Sequence, residues 1–434
     1  MEPFKMPNQV VLKNARILDP ALNLDQRGDL LIEGGVIQRL DAKIAGKAVW
    51  DLNGAIVSPG CFDLHVHLRE PGNEDAETIR SGQEAAAAGG FSAVAAMPNT
   101  SPPLDQPGIV RWVIEQSELF APVGVYPIAA VTKGRKGEEL TDMVELHQAG
   151  AVAFSDDGSH VSSSEVMRRA LEYSLLVDAP IITHAEDASL SKNGAMHEGE
   201  ISTRLGLAGI PDISEDIATI RDLKLAEYTG GKLHLAHIST RGSLAALEAA
   251  LRRGVRATGE ATPHHLLLTD AAVIGYDTST KMKPPLRTEK DRLALWDGLR
   301  KNFISVIATD HAPHTFDDKE VPYDEAAFGV IGLETALALI WDRGVLAGLI
   351  EPEQLIRFFC HGPRTVVGLP IPALQEGQKA ELTVFHPEEK WRVERDRFFS
   401  KSKNSPFKGW ELTGRPWGVL RGLFWAGRVE PDLK

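Results

Sequence analysis

Six positions in this 434-residue chain combine residue types and spacings that suit metal chemistry. His65 and His67 stand two apart in an apolar run, so on a strand both side chains leave the same face. His184 and His237 each close a further apolar run, as do the pair Asp156–Asp157 and Asp310. Four neutral imidazoles and two carboxylates converging at one mouth could hold two divalent cations through nitrogen and oxygen. A bound divalent ion lowers the pKa of water from ~15.7 to about 7, which makes hydroxide available at neutral pH. Any one of these histidines alone is more often a hydrogen-bonded core or surface residue. Six such residues, four imidazoles and two carboxylates, at the ends of runs form a strong signal. Strand parity leaves either Asp156 or Asp157 as the fourth-strand carboxylate.

The other polar residues are expected to do less. His234 lies three before His237, so on a strand it faces the helices and is structural. His264–His265 lie just beyond the seventh run and are expected to pack or shape a loop. His147, His160, His197, His361 and His386 are expected on the surface or in loops. Asp63, one pleat deeper than His65, suits an acceptor that orients a ligand. Cys61 reads as core.

The elements that must position these residues are legible as a repeating texture. CFDLHVH, FSAVAAMPN, PVGVYPIAA, AVAFSDD, PIITHAE, KLHLAHIS, VRATGE and FISVIATDH are apolar along most of their length, and most turn polar at their C-terminal ends. Near-continuous apolar strands joined by amphipathic helices imply a buried parallel sheet. One helix is well marked, with Ser239–Thr240 as cap, SLAALEAALRR as body and Gly254 at its end. From Cys61 to Asp310 the chain runs 250 residues, the size of a (β/α)8 TIM barrel, whose chemistry sits at strand C-termini. Both chain ends carry short β-type runs, including a turn at Gly34–Gly35. The expected organisation is therefore an N-terminal part of a small β domain at 1–57, a barrel at 58–370, and the C-terminal part of the small β domain at 371–434.

Composition narrows the class. Hydrophobic residues at 43% and charged residues at 25% are a globular balance, which excludes disorder. The net charge of −13 excludes non-specific binding to nucleic acid or anionic membrane. Two cysteines, Cys61 and Cys360, cannot build a disulfide framework and suit a reducing compartment. The first residues carry charges and prolines where a secretion signal needs an apolar core. A soluble cytoplasmic protein is expected.

DLHVHLREPG, MPNT, FSDDG, THAED, AHISTRGS, PPLR, TDHAPH and FGVIGLET, in this order, resemble the dihydroorotase family of the amidohydrolase superfamily. The resemblance spans the chain from NARILDP to SKSKNSPFKGW. It implies a zinc enzyme with two metal sites that interconverts N-carbamoyl-L-aspartate and L-dihydroorotate in pyrimidine biosynthesis. It further implies that His65, His67 and Asp310 hold the first metal and that His184 and His237 hold the second. Asp157 would bridge them, because fourth-strand FSDDG lacks the lysine that bridges in many superfamily members. Arg69 would grip the substrate carboxylate with Asn99 and His314, His67 would reach substrate as well, and Phe328–Gly329 would contact the ring through backbone. One position departs: the residue before PPLR, often Asn in the family, is Lys283, a substrate-side residue that cannot accept a hydrogen bond.

The expected reaction is attack of metal-bound hydroxide on a ring carbonyl, with Asp310 as general acid and base. A first rival is another cyclic amidohydrolase, an allantoinase or a hydantoinase/dihydropyrimidinase, disfavoured by the missing lysine. A second is an inactive scaffold homologue bound to aspartate carbamoyltransferase, disfavoured because every metal-ligand position is kept. A homodimer, or an active enzyme associated with that transferase, stays open at this stage.

Overall fold

The eight apolar runs become parallel strands in the computed structural model, which describes residues 1–434. They are Cys61–Val66 (β1), Phe91–Ala96 (β2), Gly124–Ala129 (β3), Ala153–Ser155 (β4), Ile181–Thr183 (β5), Leu233–Leu235 (β6), Ala257–Ala261 (β7) and Val306–Ile307 (β8). Each strand pairs with the next in chain order. A parallel bridge between Val66 and His311, just past β8, brings the last strand back to the first. The architecture is a (β/α)8 barrel with a second sheet built from the chain termini.

Apolar side chains of mixed size fill the barrel. Phe62, Leu64, Ala93, Ala95, Ile128, Ala153, Ile182, Ala236, Val306 and Ala308 belong to one buried cluster within the ring of strands. The outward faces pack against helices in a cluster of 62 buried residues. The helix Arg241–Arg252 illustrates the pattern: it buries Leu244, Leu247 and Ala250, and the Thr240 side chain accepts from Ser243 N–H. Such a cap contributes about 1 kcal/mol. Ser239 is not the cap; its hydroxyl donates to Glu215 instead.

Six N-terminal strands and three C-terminal strands form the second sheet. Gly34 and Gly35 turn its hairpin with φ of 60° and 78°, which only glycine adopts without a Cβ penalty. The seam between the chain ends is the antiparallel register of Leu382–Phe385 on Ile56–Pro59. A core of 18 buried residues lies beneath, including Leu12, Leu30, Leu382, Val384 and Trp425. Thr383 Oγ1 ties this sheet to the barrel by accepting from Cys61 N–H (2.9 Å) and donating to the Gly90 carbonyl (2.7 Å). The following segment reaches the barrel mouth, where Asn404 Nδ2 donates to the carbonyls of Ala312 and Gly329. No helix is long and apolar enough to cross a membrane.

Candidate metal centre and active site

The six residues singled out by type and spacing meet at the C-terminal mouth of the barrel. β1 carries His65, and His67 stands one residue past it, with ring centroids 5.3 Å apart. Asp157 lies two residues past β4, His184 one past β5, His237 two past β6 and Asp310 three past β8. His237 and Asp310 hold left-handed backbone, φ 31° and 48°. Such conformations cost about 1–3 kcal/mol outside glycine and concentrate at functional sites.

Asp157 stands at the centre of the group. Its Oδ1 lies 3.4 Å from His65 Nε2, 3.7 Å from His184 Nδ1 and 3.6 Å from His237 Nε2, and its Oδ2 lies 3.5 Å from His67 Nε2. Asp310 Oδ1 is 3.1 Å from His67 Nε2 and 3.5 Å from His65 Nε2. Asp156 faces away: its Oδ1 accepts from the Val131 and Thr132 amides. The parity ambiguity therefore ends with Asp157 among the histidines.

This donor set fits divalent cations. His65, His67 and Asp310 offer ligand atoms within 4.8 Å of one another, and so do His65, Asp157 and His237. His65 Nε2, Asp157 Oδ1 and His237 Nδ1 are buried without a hydrogen-bond partner, a condition that costs about 1–3 kcal/mol per group unless something else satisfies it. His184 Nδ1 and His237 Nε2 point at each other across 3.0 Å.

Electrostatics follow from carboxylates and imidazoles sharing a dry pocket. Burial opposes charge on His65, but Asp157, Glu260 and Asp310 outweigh it and raise its pKa well above the usual value. For His184 burial is likewise overcome, by Asp157 and Glu186, and the pKa rises to about 9. Burial would also neutralise Asp310, yet His65, His67 and His237 hold it down to about 2. Asp157 falls well below the carboxylate range against the same burial, through His65, His184 and His237.

The substrate-side candidates line the same mouth. Arg69, at φ 62°, donates from Nε to the Pro313 carbonyl (3.0 Å) and places Nη2 3.4 Å from His314 Nε2. His314 Nε2 donates to the Phe328 carbonyl at 2.8 Å, so it presents no lone pair to Arg69. Burial and then Arg69 push the His314 pKa to about 3, which keeps the ring neutral. Asn99 Oδ1 accepts from His67 Nδ1 at 2.7 Å, so this amide also orients a histidine. Gly329 N–H and the Phe328 carbonyl are bonded within the chain, to the Lys281 carbonyl and His314 respectively. Lys283 Nζ pairs with Glu186 Oε2 at 2.9 Å and lies 5.7 Å from the Phe328 ring centroid.

Residues 54–243 match the family model described as dihydro-orotase-like. The dihydroorotase of Pelotomaculum thermopropionicum is 47% identical over 423 residues, covering 97% of this chain and 98% of that protein. That of Syntrophus aciditrophicus is 46% identical over 412 residues, covering 94% and 96%. The chain belongs to the dihydroorotase family. It is accordingly a cyclic amidohydrolase with a small-molecule substrate. Among solved structures, the L-hydantoinase (dihydropyrimidinase) of Arthrobacter aurescens superposes with a TM-score of 0.87 at 23% identity, covering 98% of both chains. The dihydropyrimidinase of Brevibacillus agri gives 0.83 at 20%, covering 97% of this chain and 95% of that one. At these identities the likeness establishes the fold.

Three expectations change within this dihydroorotase-family site. His234 does not face the helices: its Nε2 bonds Glu260 Oε2 at 3.0 Å, and that carboxylate's other oxygen meets His65. The parity argument fails because His237 lies beyond the strand and is bent left-handed, so it and His234 turn to the same side. Asp63 does accept from a candidate ligand, but through backbone and not through a ring: its Oδ1 takes the amides of His65 and Thr309. His197 and His361 are buried, at 6% and 8% exposure, not on the surface. Two functional neighbours escaped the sequence reading, Glu260 in β7 and Asn404 near the C-terminus. Glu260 carries a weak signal, an acid closing the seventh run, VRATGE. Asn404 lies in the SKSKNSPFKGW segment of the resemblance, but nothing there ties it to a loop more than 70 residues away.

Proposed function

We propose that this enzyme is a zinc-dependent dihydroorotase that interconverts N-carbamoyl-L-aspartate and L-dihydroorotate in pyrimidine biosynthesis. The observation that carries the reading is Asp157 among four imidazoles, with Asp310 alongside and the Arg69 guanidinium at the same mouth. His65, His67 and Asp310 would hold one ion, His184 and His237 the second, and Asp157 would touch both. Ions bound there supply Lewis acidity toward a carbonyl and a lowered water pKa.

The chain's own residues account for the rest. Arg69 offers a planar fork for the substrate carboxylate, which a bidentate pair binds more strongly than one contact. Asn99 turns His67 so that Nε2 faces Asp310. Asp310 is ionised at neutral pH and takes the proton of the attacking water as its oxygen bonds to the ring carbonyl carbon. The proton passes to the ring nitrogen as the C–N bond breaks, and the water's second proton is released to solvent, which leaves a carboxylate and an opened ureido group. In the cyclising direction Asp310 begins protonated and the same bonds form and break in reverse.

Ring opening of dihydroorotate, allantoin and hydantoin, assayed with metal quantified in the same preparation, tests the reading. Dihydroorotate should be turned over fastest, with bound zinc. Asp310→Asn should lower kcat about 10²–10⁴-fold. Full activity in metal-free protein, or preference for hydantoin, would overturn the proposal.

A further inference from the structure

Behind the six converging residues lies a second buried group. Glu260, 1% exposed in β7, directs Oε1 at His65 Nδ1 (2.8 Å) and at the His237 backbone N–H (3.2 Å). Its Oε2 meets His234 Nε2 at 3.0 Å, and His234 Nδ1 lies 2.8 Å from Thr258 Oγ1. An ionised carboxylate only accepts hydrogen bonds, so each imidazole nitrogen that faces it carries a proton. His65 is thereby a donor at Nδ1, and its Nε2 is the atom turned toward Asp157 and Asp310. His234 is a donor at Nε2, which leaves Nδ1 to accept from the Thr258 hydroxyl. Donors thus converge on Glu260 from both sides, Thr258 through His234 on one and His65 on the other. It also reaches the second ion's position, because Glu260 Oε1 holds the amide of His237 within its left-handed bend. Asn99, by contrast, touches His67 alone among the candidate ligands.

We propose that Glu260, braced by His234 and Thr258, is the positioning residue for the whole metal centre, setting the tautomer of His65 at one ion position and the backbone that presents His237 at the other. The inference rests on the metal reading of the site above. Outer partners of metal-bound histidines typically change metal affinity about 10–100-fold when lost, and here one carboxylate serves two positions. Its loss should therefore weaken both ions together, whereas loss of Asn99 should weaken one.

The test is Co²⁺ titration of the metal-stripped full-length protein, read by visible absorption and by competition with a chelator. Wild type should take up two Co²⁺ per chain. Glu260→Gln retains the volume but offers an NH2 where His234 needs an acceptor, and it should weaken both ions about 10–100-fold with an altered Co²⁺ spectrum. Asn99→Ala should affect one ion. Near-ultraviolet circular dichroism of the stripped proteins reports the fold. If Glu260→Gln does not fold, Thr258→Val, which removes only the outermost hydroxyl, should shift both affinities in the same direction by a smaller factor. Wild-type affinity and spectrum in the folded variant, or weakening confined to one ion, would overturn this inference and leave the metal reading intact. A wild-type protein that binds no Co²⁺ would overturn both.

Discussion

Asp63, Asp157 and Asp310 are all buried near the barrel mouth, yet their partners give them different chemistry. Asp157 and Asp310 face imidazoles and stay ionised. Asp63 has two backbone amides on Oδ1 and nothing on Oδ2. Burial therefore dominates and lifts its pKa from 3.8 to about 7. A carboxyl raised in the folded state contributes stability that is fully present below pH ~3.8 and is lost as pH rises through about 7. Asp63→Asn keeps an acceptor for both amides and cannot ionise. In metal-free protein its melting temperature should gain on wild type steadily between pH 4 and 7, then hold a constant lead above 7.5. Parallel melting curves across that range would rule out the burial account.

At the scale of elements, the segment after β8 shows how loop backbone shapes the substrate side. Gly329 has φ 140°, and a Cβ there would lie 2.7 Å from Ala312 Cβ and 2.9 Å from His314 Nε2. Gly329→Ala should displace His314 and the Phe328 carbonyl it holds. We expect kcat/KM for dihydroorotate to fall at least about tenfold, equivalent to ~1.4 kcal/mol, with metal content unchanged. Unaltered kinetics would show that this approach is not needed for substrate. The helix Ile213–Thr229 illustrates a different point. It turns Glu215 and Asp222 inward while Ile213, Ile217 and Ile220 stay 45–49% exposed. Glu215 satisfies Ser239 N–H, and Asp222 accepts from Thr183. Ala218, Leu223 and Ala226 are buried as well, so apolar residues lie on both faces and the buried hydrogen bonds, not hydrophobic periodicity, fix the inward face.

At the scale of the molecule, the barrel and the terminal sheet share partners along a continuous boundary. Thr383 bonds Cys61 and Gly90, Ser92 donates to Glu381 at 2.8 Å, and Asn404 reaches the loop after β8. These contacts predict that the two parts unfold together. Leu382→Ala, in the core of the terminal sheet, should cost about 2–5 kcal/mol and lower one calorimetric transition, with loss of the metal centre at the same temperature. Two separate transitions, only one of them moved, would show that the sheet melts independently.

The eight strands and the candidate ligand histidines were legible in sequence because both follow from local rules. A buried parallel strand is apolar along its length, and barrel chemistry collects at strand ends, so CFDLHVH and FISVIATDH each carry an element and a site residue. The same local rules placed His234 on the wrong side, because parity holds only while the strand continues and His237 leaves it through a left-handed turn. They also could not choose between Asp156 and Asp157, since the choice depends on which backbone amides the neighbouring loop brings to Asp156. Glu260 and Asn404 were not singled out for a related reason. Their significance lies in partners 195 residues away in one case and 92 in the other. What the sequence determined by itself was the type and order of the candidate ligands. Which oxygen or nitrogen each one faces was decided by tertiary packing, since a hydrogen bond across the barrel depends on distance in space and leaves no periodic trace along the chain.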